Sequence, residues 1–187
     1  MADFNNFWTA ATVAKDPKRG FRFQVTMSNL DGMLWYAKKA DRPTLSLTEA
    51  KHDFLNHSFY WPARAEWSEV GLTLVDPVSP DVAASLMSFL SASGYKLPAG
   101  TGNQSEFSSI SKKGSIDATG NIQIDQIDEA GNPVESWLLK NAWIKEVDFS
   151  ELDYSNDDLS EVTLKIRYDW AVFSGGPSSG VSDLFKI

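Results

Sequence analysis

The stretch SEVTLKIRYDWAVF, from Ser160 to Phe173, decides the class of fold, because it alternates between apolar and polar residues without a break. The apolar positions are Val162, Leu164, Ile166, Tyr168, Trp170 and Val172, and the polar positions are Glu161, Thr163, Lys165, Arg167 and Asp169. A period of two with β-branched and aromatic residues predicts a strand that is buried on one face. At about 3.3 Å per residue this strand would extend for roughly 40 Å, which requires a large sheet or a closed barrel.

Similar alternation recurs along the chain and predicts an antiparallel, mainly β protein. The stretch from Phe21 to Ser28 is expected to form a hairpin with Met33 to Ala37, across a turn at residues 30–32. Further strands are predicted at residues 57–61, 67–75, 120–127, 134–139 and 141–149. The strand at 141–149 is expected to pair with the opening stretch. Mixed signals between residues 38 and 56 predict a long hairpin or a projecting loop, which is a common place for function.

One helix is predicted at about residues 80–93. Ser79 is placed as its N-cap, Pro80 occupies the first helical position, and Gly94 can take the left-handed conformation at its end. The apolar residues Val82, Leu86, Phe89 and Leu90 recur at helical spacing, so the helix should lie on a sheet or across a barrel mouth.

The length of 187 residues and a hydrophobic content of 42% predict a single domain with a substantial core. Within this domain, 1–187, we distinguish an N-terminal arm at residues 1–20, a Gly/Ser-rich loop at 98–115 and a tail at 174–187. The tail either frays or anchors in a neighbour. The core candidates are Trp67, Leu72, Leu74, Leu86, Phe89, Trp143, Ile166, Tyr168 and Trp170. The arm carries Phe4, Phe7 and Trp8, which either pack on their own domain or dock on another subunit.

The composition excludes several kinds of chemistry. The chain has no cysteine and only two histidines, so it is not expected to hold a metal, a cofactor or a nucleophilic triad. Seven carboxylates between Glu146 and Glu161 lack the spacing of a calcium-binding EF-hand. A net charge of −8 argues against a protein that grips nucleic acid. We therefore expect no enzyme. Seven tryptophans leave open a carbohydrate-binding β-sandwich.

The charge is distributed unevenly along the chain. Residues 1–42 hold seven Lys/Arg and four Asp/Glu, a net of +3, whereas residues 115–161 hold twelve Asp/Glu and two Lys, a net of −10. If the fold places these regions at different ends, opposite charges favour head-to-tail contact between copies. The alternative is an acidic face that has no partner.

Two stretches resemble the tail tube proteins of contractile-tailed bacteriophages and related injection systems. The first comprises Tyr60, Trp61, Pro62, Arg64, Trp67, Val70, Leu72, Leu74 and Asp76. The second comprises Trp143, Ile144, Val147, Phe149, Leu152, Tyr154 and Asp157 with the final Tyr168-Asp169-Trp170-Ala171. The resemblance implies a rolled antiparallel β-sandwich or barrel with one helix and a long projecting loop. It also implies six-membered rings that stack head-to-tail into a hollow tube. A tube terminator or a baseplate component of the same fold is an alternative.

The resemblance further implies a set of partners. These are other copies of the chain, the tail sheath, the tape-measure protein, the baseplate and terminator proteins, and genomic DNA that passes through the lumen without specific binding. An acidic lumen would repel that DNA. No membrane partner is expected, since the sequence has no long apolar run and no signal-peptide pattern; a virion component assembled in the host cytoplasm is implied. The candidate subunit contacts are Phe4, Phe7, Trp8, Lys18, Arg19, Lys39, Arg42, Glu49, Asp53, Asp148, Glu151 and Asp153.

Overall fold

A computed structural model describes residues 17–29, 36–79, 81–96, 109–155 and 157–175. Within these ranges the chain forms ten strands and two helices. The strands are β1 Phe23–Met27, β2 Ala37–Ala40, β3 Leu45–Phe54, β4 His57–Trp67, β5 Val70–Val75, β6 Ile122–Ile127, β7 Pro133–Lys140, β8 Trp143–Phe149, β9 Glu161–Arg167 and β10 Trp170–Gly175. The helices are α1 Val82–Ala92 and α2 Lys112–Thr119.

Two four-stranded sheets and one two-stranded ribbon contain all ten strands. The first sheet has the order β1-β6-β7-β10, the second sheet has the order β2-β5-β9-β8, and β3 pairs only with β4. Every pairing is antiparallel. The structure therefore confirms the predicted mainly β, antiparallel class of fold.

The core is formed by the inward faces of the two sheets. Val25 and Ile124 are register partners in the first sheet, and Leu72 and Leu164 are partners in the second, and all four are buried in one cluster. Burying one such side chain contributes about 1.5–3 kcal/mol. The predicted core residues Leu72, Leu74, Leu86, Ile166 and Tyr168 are buried, Trp67 and Phe89 pack partly buried against the cluster, and Trp143 is half-buried.

The opening stretch is not one continuous strand, so that prediction was wrong. β9 ends at Arg167 in the second sheet, and β10 begins at Trp170 in the first. At the corner between them the backbone N–H of Asp169 donates to the carbonyl of Lys140 at 3.0 Å. Up to the corner the even-numbered residues point into the core, and Tyr168 is 3% exposed. Beyond it the odd-numbered residues do so, because Trp170 is 38% exposed and Ala171 is 1% exposed.

The placement of Trp170 in the core was therefore also wrong. A strand that passes from one sheet to the other turns around the core, and the side chain at the corner is left on the outside. The alternation of residue types continues unchanged through this corner, which is why it could not reveal the break.

The strand pairings confirm some predicted hairpins and correct one. β6 pairs with β7, and β8 pairs with β9, as expected. β1, however, pairs with β6 in the first sheet, while Ala37, at the end of its predicted partner, begins β2 and pairs with β5 in the second. Consecutive segments thus enter different sheets. Residues 30–35, which connect them, lie outside the described residues.

The helices also differ from the prediction in number and in one boundary. Asp81, not Ser79, caps α1, because its side chain accepts the backbone N–H of Ala84 at 2.8 Å. A second helix, α2, occupies the end of the segment predicted as a Gly/Ser-rich loop. Ser111 caps this helix by accepting the N–H of Gly114 at 3.0 Å. β10 also extends to Gly175, two residues into the predicted tail.

Gly114 explains why α2 resembles a loop in the sequence. A Cβ at this position would lie 2.9 Å from the carbonyl oxygen of Ser93, just after α1. The residue is therefore a glycine because the two helices approach closely, not because the backbone must be flexible. Among the described residues, no helix is long and apolar enough to cross a membrane.

Candidate assembly surfaces

The β3–β4 hairpin projects from the sandwich with almost no cover from the part of the chain that the structure describes. All residues of the two strands are exposed except Thr48 and Trp67. The excursion predicted between residues 38 and 56 is thus a hairpin, and it continues to Trp67. Pro62 lies inside β4, where it is tolerated because a two-stranded ribbon consists of edge strands. Beside it, Thr48 Oγ1 accepts the N–H of Arg64 at 2.9 Å across a register shift.

The outer half of this hairpin is amphipathic. Side chains that face each other across an antiparallel pair lie on the same face, so the register sorts the residues. One face, here called the aromatic face, carries Ala50, His52, Phe54, His57, Phe59 and Trp61. Phe54 is 60% exposed, Phe59 is 49% exposed and Trp61 is 50% exposed. The rings of Phe59 and Trp61 are 6.2 Å apart, as are those of His52 and Trp61.

The opposite face, here called the polar face, carries Glu49, Lys51, Asp53, Ser58 and Tyr60 together with Pro62. Asp53 accepts a hydrogen bond from Ser58 at 2.5 Å and pairs with Lys51 at 3.0 Å. These two hydrogen bonds hold the pKa of Asp53 below its usual range. The carboxylates of the outer hairpin therefore lie on the face opposite Phe54, Phe59 and Trp61.

The root of the hairpin is attached firmly to the sandwich. The backbone N–H of Ser68 donates to the carbonyl of Thr44 at 2.9 Å, which closes the ribbon at its base. The ring of Trp67 lies against that of Tyr168, with centroids 6.0 Å apart. The outer half thus extends from a fixed base.

At the edge of the core, Glu135 in β7 attaches the segments that contain Lys18 and Arg42 to the first sheet. Its buried carboxylate accepts hydrogen bonds from Lys18 and from the indole of Trp137, the latter at 2.6 Å, and Arg42 lies 3.5 Å away. Burial raises the pKa of Glu135, but the hydrogen bonds and the two positive charges outweigh that effect and leave the pKa below its usual range. Lys18 and Arg42, predicted as subunit contacts, are therefore engaged within their own chain.

A second exposed apolar surface lies between β8 and β9. The described residues of this β8–β9 loop are 150–155 and 157–160. Leu152, Tyr154 and Leu159 point into solvent although they are large apolar or aromatic side chains. With neighbouring carboxylates they line a shallow cleft of about 580 Å³. The N–H and hydroxyl of Ser155 donate to Asp153 and lower the pKa of its carboxyl group.

The hairpin and the β8–β9 loop lie at opposite ends of the second sheet. The hairpin leaves β2 after Ala40 and returns into β5 at Val70, whose register partner in β9 is Ile166. At the other end of the same strands, Val75 pairs with Glu161, where the β8–β9 loop ends. The two exposed apolar surfaces are therefore separated by the length of the sheet.

The other predicted contact residues fall into separate places. Phe4, Phe7 and Trp8 lie outside the described residues. Lys39 lies 3.8 Å from Asp41. The backbone carbonyl of Arg19 accepts the N–H of Arg22. Glu49 and Asp53 are on the polar face of the hairpin. Asp148, Glu151 and Asp153 are exposed together at the end with the β8–β9 loop.

Sequence reasoning missed the aromatic face and the apolar residues of the β8–β9 loop as contact candidates. The alternation in residues 57–61 predicts an ordinary sheet strand, in which aromatic side chains pack in the core. Pro62 does indicate an edge or a strand end, because a proline cannot donate to a central ladder, but it does not reveal that the aromatic residues before it are exposed.

The outward face of the second sheet is charged but internally paired. Lys145 lies 2.5 Å from Glu69 and Lys165 lies 2.8 Å from Glu146, and Lys38 is paired with Glu161. The hydrogen bond from Lys145 holds the pKa of Glu69 below its usual range. The described part of the chain contains no group of three or more residues that could hold a metal ion.

Comparison with known proteins identifies the fold. No protein-family model and no curated protein matches the chain. Among solved structures, the chain is similar to one in the anti-feeding prophage cap, described as its tube terminating cap, with a TM-score of 0.60 and 16% identity over 94% of this chain and 99% of that one.

Two further similar chains occur in an extracellular contractile injection system, PVC. One is in the sheath-tube complex in the extended state, with a TM-score of 0.58 and 14% identity over 89% of this chain and 98% of that one. The other is in the sheath/tube terminator, with a TM-score of 0.60 and 14% identity over 86% and 99%. The chain therefore has the fold found in these contractile assemblies, as its sequence resemblance predicted.

Proposed function

We propose that this chain is a structural protomer of the tube of a contractile injection machine and has no catalytic role. The observation that carries the proposal is the aromatic face, where Phe54, Phe59 and Trp61 stay about half exposed or more on a hairpin that projects from a well-packed sandwich. Exposed apolar patches on a stable domain mark sites of protein contact. The fold shared with chains of tube and terminator assemblies supports the same conclusion.

Assembly into rings would give the edge strands of the two sheets pairing partners in neighbouring protomers. β1, β10, β2 and β8 each have only one strand neighbour within the described residues. Free edges tend to pair with another chain, so adjacent protomers can continue a sheet around a ring. We propose rings of six protomers. Their head-to-tail stacking is supported by the polarity of the molecule, which carries different exposed surfaces at the two ends of the second sheet.

In the particle, the stacked rings form a hollow tube inside a sheath, with a baseplate and a terminator at its ends. For a phage tail, the tape-measure protein occupies the lumen during assembly and genomic DNA passes through it at ejection. The net charge of −8 suits a wall that does not bind DNA. A predominantly basic channel wall in the assembled tube would contradict this part of the proposal.

Negative-stain electron microscopy of the purified protein, combined with sedimentation over a range of concentrations, tests the proposal. We expect rings with six subunits, and stacks of rings as the concentration rises. A species that stays monomeric at every salt and protein concentration would contradict it.

A tube terminator is the second candidate, because two of the three structures compared above are described as a tube terminating cap and a sheath/tube terminator. The same micrographs distinguish the two roles. A tube protomer forms stacks whose length increases with concentration, whereas a terminator forms single rings that do not stack.

A further inference from the structure

We propose that residues 176–187 of one protomer dock into an apolar groove beside β8 of the next protomer in the ring. This inference rests on the proposed function, and it adds which segment joins neighbouring protomers and where that segment binds. β10 ends at Gly175, and residues 176–187 lie outside the described residues.

The groove, here called the β8 groove, lies between α1, α2 and β8, at the edge of the second sheet. Its volume of about 370 Å³ is within the range of sites that hold small organic ligands, roughly 300–1,000 Å³. Met87 is 55% exposed and Phe149 is 46% exposed, so the described part of the chain leaves the groove open. Its apolar walls are Met87 and Leu90 of α1, Ala118 of α2, and Ile144, Val147 and Phe149 of β8.

The polar side chains that line the β8 groove are already engaged within their own chain. Lys145 pairs with Glu69 at 2.5 Å, and Lys165 pairs with Glu146 at 2.8 Å. The hydroxyl of Thr119 donates to a backbone carbonyl one turn earlier in α2, at 2.9 Å. An occupant of the groove is therefore selected by its apolar side chains, because burying exposed apolar surface is the main gain that the groove offers.

The segment after β10 carries side chains of this kind. Residues 176–180 are Gly, Pro and Ser, which supply a spacer, and they are followed by Val181, Leu184, Phe185 and Ile187. Fully extended, the twelve residues from 176 to 187 reach about 40 Å. The apolar part of the segment can therefore bind at some distance from Gly175.

The segment leaves the sandwich at the edge of the second sheet that is opposite the β8 groove. Gly175 pairs with Glu135, and the carboxylate of Glu135 lies 3.5 Å from Arg42, just after β2. Glu135 and Ala40 of β2 also line one small cavity. β2 and β8 are the two edge strands of the second sheet, and with about 4.8 Å between strands they are about 14 Å apart.

This placement favours docking between copies over docking within one chain. A contact between unlike surfaces is heterologous, and it closes into a ring when the rotation between copies permits. In a ring that brings the β2 edge of one copy to the β8 edge of the next, the segment reaches the next groove without crossing its own sandwich. Each protomer then gives one segment and receives one.

Cysteine cross-linking tests the contact, since the chain has no cysteine of its own. Leu184→Cys leaves Phe185 free to dock, and Leu90→Cys places a thiol in the groove at a position that is 37% exposed. The two proteins are mixed under assembly conditions and treated with a short bismaleimide, which does not require the geometry of a disulfide. We expect a cross-linked dimer on a denaturing gel. A thermal melt verifies folding, and if Leu90→Cys lowers the midpoint, Met87→Cys takes its place.

The matched control is Ser88→Cys, which is exposed on the opposite side of the same helix, because residues two apart in a helix point about 200° apart. Mixed with Leu184→Cys, it should yield at least about tenfold less dimer, since only the docked pair has a high effective concentration. Equal yields from the two mixtures would overturn the inference.

A protein that carries both Leu184→Cys and Leu90→Cys distinguishes docking between copies from docking within one chain. Docking between copies predicts a ladder of linked chains that ends at six. A monomer with an internal link and no ladder would show that the segment occupies its own groove, and it would overturn the inference.

Microscopy of the wild-type protein separates this inference from the proposed function. Rings that form without the cross-link between positions 184 and 90 overturn the docking inference and leave the tube protomer standing. A protein that neither assembles nor cross-links overturns both.

Discussion

Replacing Trp61 with alanine should weaken stacking without destabilising the protomer. Trp61 is 50% exposed. A large aromatic side chain presents up to about 250 Å² of surface, so about 125 Å² remains to be covered by a neighbour. At about 25 cal/mol per Å² this burial contributes up to about 3 kcal/mol per docked copy. A loss of that size corresponds to about a hundredfold weaker contact.

The critical concentration for forming stacks, measured by sedimentation, reports this loss. Tyr60→Ala is the matched control, because Tyr60 is a neighbouring aromatic residue of similar exposure on the polar face. We expect Trp61→Ala to raise the critical concentration by one to two orders of magnitude, about 1.4–3 kcal/mol, and Tyr60→Ala to raise it much less. Thermal midpoints of both variants should stay close to that of the wild type. A critical concentration that Trp61→Ala leaves unchanged, or that both variants raise equally, would refute the reasoning.

Three further predictions concern the stability of the protomer. Glu135→Gln should cost about 1–3 kcal/mol at neutral pH by removing charged hydrogen bonds at a buried site. Because the pKa of Glu135 is lowered in the folded state, its stabilisation is present above the unfolded pKa, about 4.3, and is lost as the pH falls through the folded pKa. The difference in thermal midpoint between wild type and variant should therefore shrink below about pH 4, and a constant difference would contradict the assignment. Gly114→Ala should destabilise by about 1 kcal/mol in urea unfolding, since the clash with the Ser93 carbonyl at 2.9 Å exceeds the gain in helix propensity. Its control is Gly20→Ala, where a Cβ meets nothing within 4 Å; equal effects of the two would argue against close helix contact. Tyr168→Phe should stabilise by up to about 1 kcal/mol, because burial raises the pKa of Tyr168 to about 12 and its hydroxyl has no hydrogen-bond partner among the described residues. A clear loss of stability in the same unfolding experiment would show that the hydroxyl is paired.

The candidate surfaces were predictable from the sequence only in part. The excursion after β2 and the acidic segment after β8 are visible as interruptions of the alternating pattern. Their roles are not, because aromatic residues such as Phe59 and Trp61 have the same spacing in a buried strand and in an exposed ribbon. For Lys18 and Arg42 the sequence errs in the other direction, by predicting subunit contacts at residues that are paired within their own chain. Both are cations that suggest an external partner, but the fold brings Glu135 between them.

By itself, the sequence determined the class of fold, the antiparallel pairs β6–β7 and β8–β9 and the helix α1. These features depend on local periodicity and on helix caps. Only the tertiary structure decided which sheet each strand joins and which residues lie outside. The stretch from Ser160 to Phe173 keeps one alternating pattern while its backbone crosses from the second sheet to the first. Trp170 is exposed at that crossing because the direction of a side chain depends on strand neighbours far away in the sequence, which a local pattern does not contain.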